Sequence, residues 1–211
     1  MTFSIVAKCT KTGQFGMAVS SSSPAVAARC AHAKTGVGVV ASQNITDPRL
    51  GPKTLLAMAE GQSAPEAVKM IINAAENAEF RQVLAVDATG NTAIYSGSKS
   101  LEIYADFASQ NAAAAGNLLA NLNIPKAMVT AFHKGTGHLG DRLIDAMRVA
   151  LALGGEAGAL HSAGLLLVGE QEWPMADLRC DWTEDCPIVD RAVFGPVASQ
   201  ICHWPFLLTN Q

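Results

Sequence analysis

The chain has 211 residues, 49 % of them apolar and 16 % charged, a balance that suits one well-packed domain over residues 1–211 and excludes a disordered chain. Its net charge of −3, without a long run of Lys or Arg, excludes the electrostatic footprint of a nucleic-acid or anionic-membrane binder. The start, Met1 to Lys8, has no basic leader, and the longest uncharged apolar runs, residues 36–42 and 163–169, are too short to cross a bilayer. A cytoplasmic protein with no membrane partner is therefore expected. Five cysteines, Cys9, Cys30, Cys180, Cys186 and Cys202, are odd in number and lack a Cys-x-x-Cys pair, which reads as reduced, packed thiols.

In chain order, residues 2–7 and 15–21 are strand-like runs joined by a polar, Gly-containing turn, so the chain is expected to open with a β-hairpin. After a Ser-rich bend, Ser20 to Pro24, and an Ala-rich segment comes a buried strand at residues 36–42. Residues 51–60 carry Leu55, Leu56 and Met58 among helix formers. Ser63 and Glu66 then form a capping-box pattern that starts a second helix, running to about Ala75. Residues 83–87 and 92–96 flank Ala88-Thr89-Gly90-Asn91 as another hairpin.

Helical periodicity returns at residues 126–133 and 141–153, with Leu143, Met147, Ala150 and Leu151 on one face opposite Asp141, Asp145 and Arg148. A last core strand is expected at residues 163–168 and an edge strand at 176–181. The tail from Pro187 onward gives no clear element. Strands and helices do not alternate one for one, so an α+β sandwich is expected rather than a parallel α/β sheet. The Ala112 to Ala115 run has side chains small enough for another backbone or a ligand to approach.

Thr2 is the residue with the most chemistry. Behind an initiator Met, a Thr is small enough for the Met to be trimmed, which leaves one residue with both a hydroxyl and a free amine. The amine titrates near about 8, where a general base for neutral pH should sit. Hydroxyl and amine together make a recognised nucleophile pair. The hairpin would return Ser20, Ser21 and Ser22 beside Thr2.

The opening residues 2–7, the strand Gly36-Val37-Gly38-Val39-Val40-Ala41-Ser42-Gln43, Gly51-Pro52, Arg81-Gln82-Val83, Val86-Asp87, Gly116-Asn117 and Ser162-Ala163, in that order, resemble a bacterial family known as domain of unknown function 1028. That family is assigned to the Ntn (N-terminal nucleophile) hydrolase superfamily. The resemblance runs from Thr2 to about Asp181 and implies a four-layer αββα sandwich, with Thr2 at the mouth of a cleft between two sheets. It also implies hydrolysis of a C–N bond in an amide. The sequence departs from the family pattern at Leu160-His161, where Arg-Gln is expected.

Acyl transfer needs donors for the developing oxyanion, and Asn117 is the best side-chain candidate, against the alternative of an Asn in a turn. The catalytic set is then Thr2, Ser20, Ser21 and Asn117. Gln43 and Asn44 would bind a substrate amide or carboxylate, or close a loop. Lys34, with Arg29 and His32, would hold an anionic group, or line a solvated loop. His161 and Ser162 precede a core strand, as site residues or as a hydrogen-bonded structural pair. His133 and His138 lack an acidic ligand nearby, so no metal is implied, and no cofactor either.

The expected partner is a small-molecule amide. Trp173, Trp182 and Trp204 suit a subunit interface of a homo-oligomer, a dimer in its simplest form, or buried packing. Two other readings compete. One is a non-catalytic oligomeric binding or scaffold protein of the same fold. The other is a dinucleotide-binding protein, because residues 135–140 spell G-x-G-x-x-G before a helix, with Glu156 as the ribose acid. That motif needs a preceding strand, and residues 126–133 read better as helix. No G-x-S-x-G elbow is present, which disfavours an α/β-hydrolase.

Overall fold

A computed structural model describes residues 2–185; the expectations for Cys186, Cys202, Trp204 and the tail from residue 187 lie outside them. The opening alternation folds as expected. Thr2–Lys8 (β1) and Phe15–Ser21 (β2) pair antiparallel, from Phe3 opposite Ser20 to Lys8 opposite Phe15. Gly13 takes φ 73° in the turn between them, a left-handed backbone that costs glycine little.

The Ala-rich segment is more structured than its composition suggests. It forms a short helix, Val26–Cys30 (α1), and a strand, Ala31–Lys34 (β3). The buried strand is Gly38–Asn44 (β4), so Gly36 and Val37 belong to the turn before it. Helices follow at Leu50–Ala59 (α2) and Ala64–Asn73 (α3). The Ser63 amide donates to Glu66 Oε2 at 2.9 Å, as the capping pattern predicts. Arg81–Asp87 (β5) and Thr92–Ser96 (β6) form the second hairpin.

Two strands went unread in the sequence, Ala105–Ser109 (β7) and Ala112–Asn117 (β8). The alanine run is thus a strand interior. Then come Ile124–Lys134 (α4), Leu139–Ala152 (α5), Ser162–Val168 (β9) and Ala176–Cys180 (β10), close to their expected places.

All strand pairs are antiparallel. They make a six-stranded sheet in the order β10-β9-β2-β1-β8-β7 and a four-stranded sheet in the order β3-β4-β5-β6. The result is a mixed α+β fold of two antiparallel sheets and, among the described residues, five α-helices.

Three apolar clusters follow from the period-two alternation of the strands. Phe3, Ile5, Ala18, Ala112, Ala114, Leu165 and Leu167 face α4 and α5. Val6, Met17, Val19, Ala113, Ala115, Val39, Ala41, Leu84 and Val86 face the opposite sheet. Val40, Val83 and Ala85 face α2 and α3. Strand β8 therefore has both sides covered, and small residues suit that crowding.

Packing is equally tight between α2 and β3. A Cβ added at Gly51 would lie 2.0 Å from Cδ2 of His32. Gly51→Ala is expected to cost about 1–3 kcal/mol through overpacking, read as a fall in thermal midpoint. An unchanged midpoint would show that the His32 ring steps aside.

Candidate active site

The registers of β8, β1, β2 and β9 place four polar residues in one row across the end of the six-stranded sheet. Asn117 lies opposite Thr2, Phe3 opposite Ser20 brings Ser21 beside Thr2, and Ser21 lies opposite Ser162. By alternation all four point into the layer between the sheets, where positions beyond Ser4, Gln43 and Gln82 are apolar. Asn117, Ser21 and Ser162 are fully buried, and Thr2 is 3 % exposed.

The hydroxyls of the row connect. Thr2 Oγ1 donates to Ser21 Oγ at 3.3 Å, the Ser21 and Ser23 hydroxyls lie 2.8 Å apart, and Arg29 Nη2 donates to Ser23 Oγ at 2.5 Å. Arg29 is thus the cation at the outer end of a chain of hydroxyls that begins at Thr2. Ser162 Oγ is held by the backbone, donating to the Ser23 carbonyl at 2.6 Å and accepting from the Val26 amide at 3.2 Å.

Across the layer, the other sheet contributes Gln43 and Gln82. Ser4 Oγ donates to Gln43 Oε1 at 2.6 Å, Gln43 Nε2 to Gln82 Oε1 at 2.7 Å, and Asn117 Nδ2 to the same Gln82 oxygen at 3.3 Å. Gln82 Nε2 in turn donates to Ser96 Oγ at 2.9 Å. This buried ladder orients Asn117, whose Oδ1 is buried without a hydrogen-bond partner. Gln82 enters from the sequence only within the Arg81-Gln82-Val83 stretch, with no part in the site. Its signal was there, since a Gln in step with Leu84 and Val86 on an alternating strand occupies a core-facing position.

Glu156 completes the site from a loop. Its backbone bridges to Leu119, and the Ala157 amide donates to the Leu118 carbonyl at 2.8 Å. Its side chain is 4 % exposed, and Oε1 accepts from the Ser22 amide at 2.9 Å. Oε2 is buried without a partner. Burial pushes the carboxyl above its ordinary range, against the lowering effect of the Ser22 hydrogen bond.

Several predicted residues stand elsewhere. Ser20 lies on the opposite face of β2 from Ser21, its hydroxyl donating to the Ser162 carbonyl at 2.9 Å. The Gln43 amide is fully buried and engaged by Ser4, Gln82 and the Ala115 carbonyl. Asn44 closes a loop at φ 72°, donating to the Phe80 carbonyl at 2.6 Å and accepting from the Leu101 amide. Lys34 pairs with Gly38, at the other end of β4 from Gln43, a separation of about 17 Å along an extended strand. His32 packs against α2 rather than the row, and burial lowers its pKa. His161 lies beside the row: its amide donates to the Ser21 carbonyl at 3.0 Å, Nδ1 meets the Thr183 carbonyl at 2.7 Å, and its ring stacks on Trp182 with centroids 4.3 Å apart.

The Gly-rich bend at residues 135–140 joins α4 to α5, and His138 Nδ1 caps α5 by accepting from the Gly140 amide at 3.2 Å. A pyrophosphate cradle needs a strand before the bend, so the dinucleotide reading loses its main support. Glu156, its supposed ribose acid, instead faces the Thr2 end of the sheet. Among the described residues, no three of His, Cys, Asp and Glu stand together as metal ligands would. No helix among them is long and apolar enough to cross a membrane.

The model of a family of unknown function, DUF1028, matches residues 2–190. The crystal structure of protein SPO2555 from Silicibacter pomeroyi, of the same family, is 28 % identical and superposes with a TM-score of 0.86, covering 96 % of this chain and 92 % of that one. Anbu (ancestral beta-subunit) from Yersinia bercovieri is 12 % identical with a TM-score of 0.40, over 98 % of this chain and 95 % of that one. No curated protein matches the chain.

Proposed function

The chain belongs to the DUF1028 family of unknown function, and from that premise we propose that it is a hydrolase cleaving a non-peptide C–N amide bond of a small molecule, linear or cyclic, with Thr2 as N-terminal nucleophile. The observation that carries this reading is the buried row Asn117, Thr2, Ser21 and Ser162 at the very start of the first strand. Burying four polar side chains at a strand end is costly unless they are hydrogen-bonded, and the bonds they make set the Thr2 hydroxyl among buried donors and acceptors. In support of the finer fold, the four-layer αββα sandwich, stand the three apolar clusters, one between the sheets and one under each helix pair.

In the reaction, Thr2 Oγ attacks the amide carbonyl while the Thr2 amine takes the hydroxyl proton and passes it to the leaving amine. The acyl group is left as an ester on Thr2, and water releases it as a carboxylic acid. Asn117 and backbone amides hold the oxyanion. Ser21, linked through Ser23 to Arg29, orients the Thr2 hydroxyl. No cofactor enters these steps. Trp173 and Trp182, both more than half exposed, support a homo-oligomer.

A second reading, the non-catalytic binding or scaffold protein, draws on the 3 % exposure of Thr2. Intact-mass spectrometry of the native protein separates the two. The hydrolase reading expects Met1 to be absent, and a native chain that keeps it blocks the amine in a peptide bond and ends that reading.

A further inference from the structure

The loop after α5 places a carboxylate where the first strand begins. In the row beyond Thr2, the chain leaves β8 at Leu118 on one side and β2 at Ser22 on the other. Glu156 is tied to both. Its backbone pairs with Leu119 and its neighbour's amide holds the Leu118 carbonyl, while its Oε1 accepts from the Ser22 amide. Glu156 therefore reaches from the β8 side to the β2 side of the sheet at the end where β1, lying between them, begins with Thr2.

A carboxylate held at 4 % exposure with one oxygen unpartnered is costly, and a cation beside it removes most of that cost. The second oxygen, Oε2, is satisfied only if a donor arrives there. The sole new donor that maturation creates at this end of the sheet is the amine freed by loss of Met1.

Resting on the reading of Thr2 as an N-terminal nucleophile, we propose that Glu156 is the positioning carboxylate that receives the Thr2 amino group in the trimmed chain, through Oε2. Binding there turns the amine toward the Thr2 hydroxyl. The side chain stays ionised once an ammonium stands beside it, which offsets the upward push of burial. His161 is the other titratable side chain acting on Glu156.

The test is the pKa of the Thr2 amine in the full-length trimmed protein. Mild periodate oxidises a terminal 1,2-amino alcohol through its unprotonated amine, so the pH dependence of that oxidation, followed by intact mass, reports the amine directly. Glu156→Gln keeps an oxygen for the Ser22 amide and removes the charge. It is expected to raise the oxidation rate near pH 6 roughly tenfold, equivalent to one pKa unit, while Glu156→Asp stays close to wild type. An unchanged profile in a folded Glu156→Gln protein overturns the assignment and leaves the nucleophile reading intact. Should that variant not fold, the wild-type chain decides: an amine titrating above about 8 supports the pairing, and one below it refutes it. A native chain that retains Met1 overturns both proposals.

Discussion

Thr2→Ala is expected to lower amide hydrolysis by roughly a thousandfold or more, with the fold unchanged. Alanine, like threonine, is small enough behind the initiator Met for trimming to proceed, so the variant removes the hydroxyl and leaves the amine in place. The structural loss should be small, about 1 kcal/mol, because Ser21 Oγ keeps its contact with Ser23 at 2.8 Å. Thr2→Ser restores a hydroxyl on the same atom position and should restore measurable turnover. The measurement is a screen of linear and cyclic amides with the three proteins side by side and their unfolding midpoints as control. Equal turnover by wild type and Thr2→Ala, on any amide that is cleaved, would remove Thr2 from the chemistry.

The second large effect concerns stability and lies at the far end of the other sheet. Asp87 is 6 % exposed and accepts five hydrogen bonds. They come from the Ala64 amide at 2.9 Å, the Thr89 amide and hydroxyl at 2.9 and 2.8 Å, and the Asn91 amide and side chain at 3.0 Å each. One carboxylate thus closes the β5–β6 turn and ties down the first residue of α3. Asp87→Ala leaves those donors without their acceptor and is expected to cost about 3 kcal/mol, a fall in midpoint of roughly 6–12 °C for a chain of this size.

The pH dependence of the same site has a definite sign. Burial pushes the Asp87 pKa up, but the bonds from Ala64, Thr89 and Asn91 outweigh it and hold the pKa below 3.8. A carboxyl depressed in the folded state contributes its stability above its unfolded pKa and loses it as pH falls through the folded value. The gap between wild type and Asp87→Asn should therefore be widest near neutral pH and close in acid as pH falls past the ordinary carboxyl range and through the depressed folded value. A gap that stayed constant would mean that the charge itself contributes nothing. Since Asp87 pairs with Gly38, at the other end of β4 from Gln43, neither variant should alter the row at Thr2.

What could be read in advance followed locality. The β1–β2 hairpin carries its own alternation and its own turn residues, and the α3 start carries its cap within four residues. Strand β8 carries no such mark, because alanines have little strand preference of their own. Its conformation comes from β1 and β7 on either side and from apolar layers on both faces. The five-residue helix α1 is likewise too short for a periodic signature.

The site divides in the same way. Thr2 was singled out by its place behind Met1, and Ser21 by the hairpin that returns it. Gln43 drew attention as a polar residue at a strand end, yet its amide is committed to Ser4, Gln82 and Ala115. Glu156 was noticed for a nucleotide motif that the helix α4 does not permit, and its actual neighbour, Ser22, is 134 residues away in sequence. The sequence by itself determined the strand alternation of the two hairpins and the cap of α3, since each depends on near neighbours along the chain. Only the tertiary structure decided which polar groups share the end of the six-stranded sheet, because register and sheet order, unlike alternation, are set by strands packing across the whole chain.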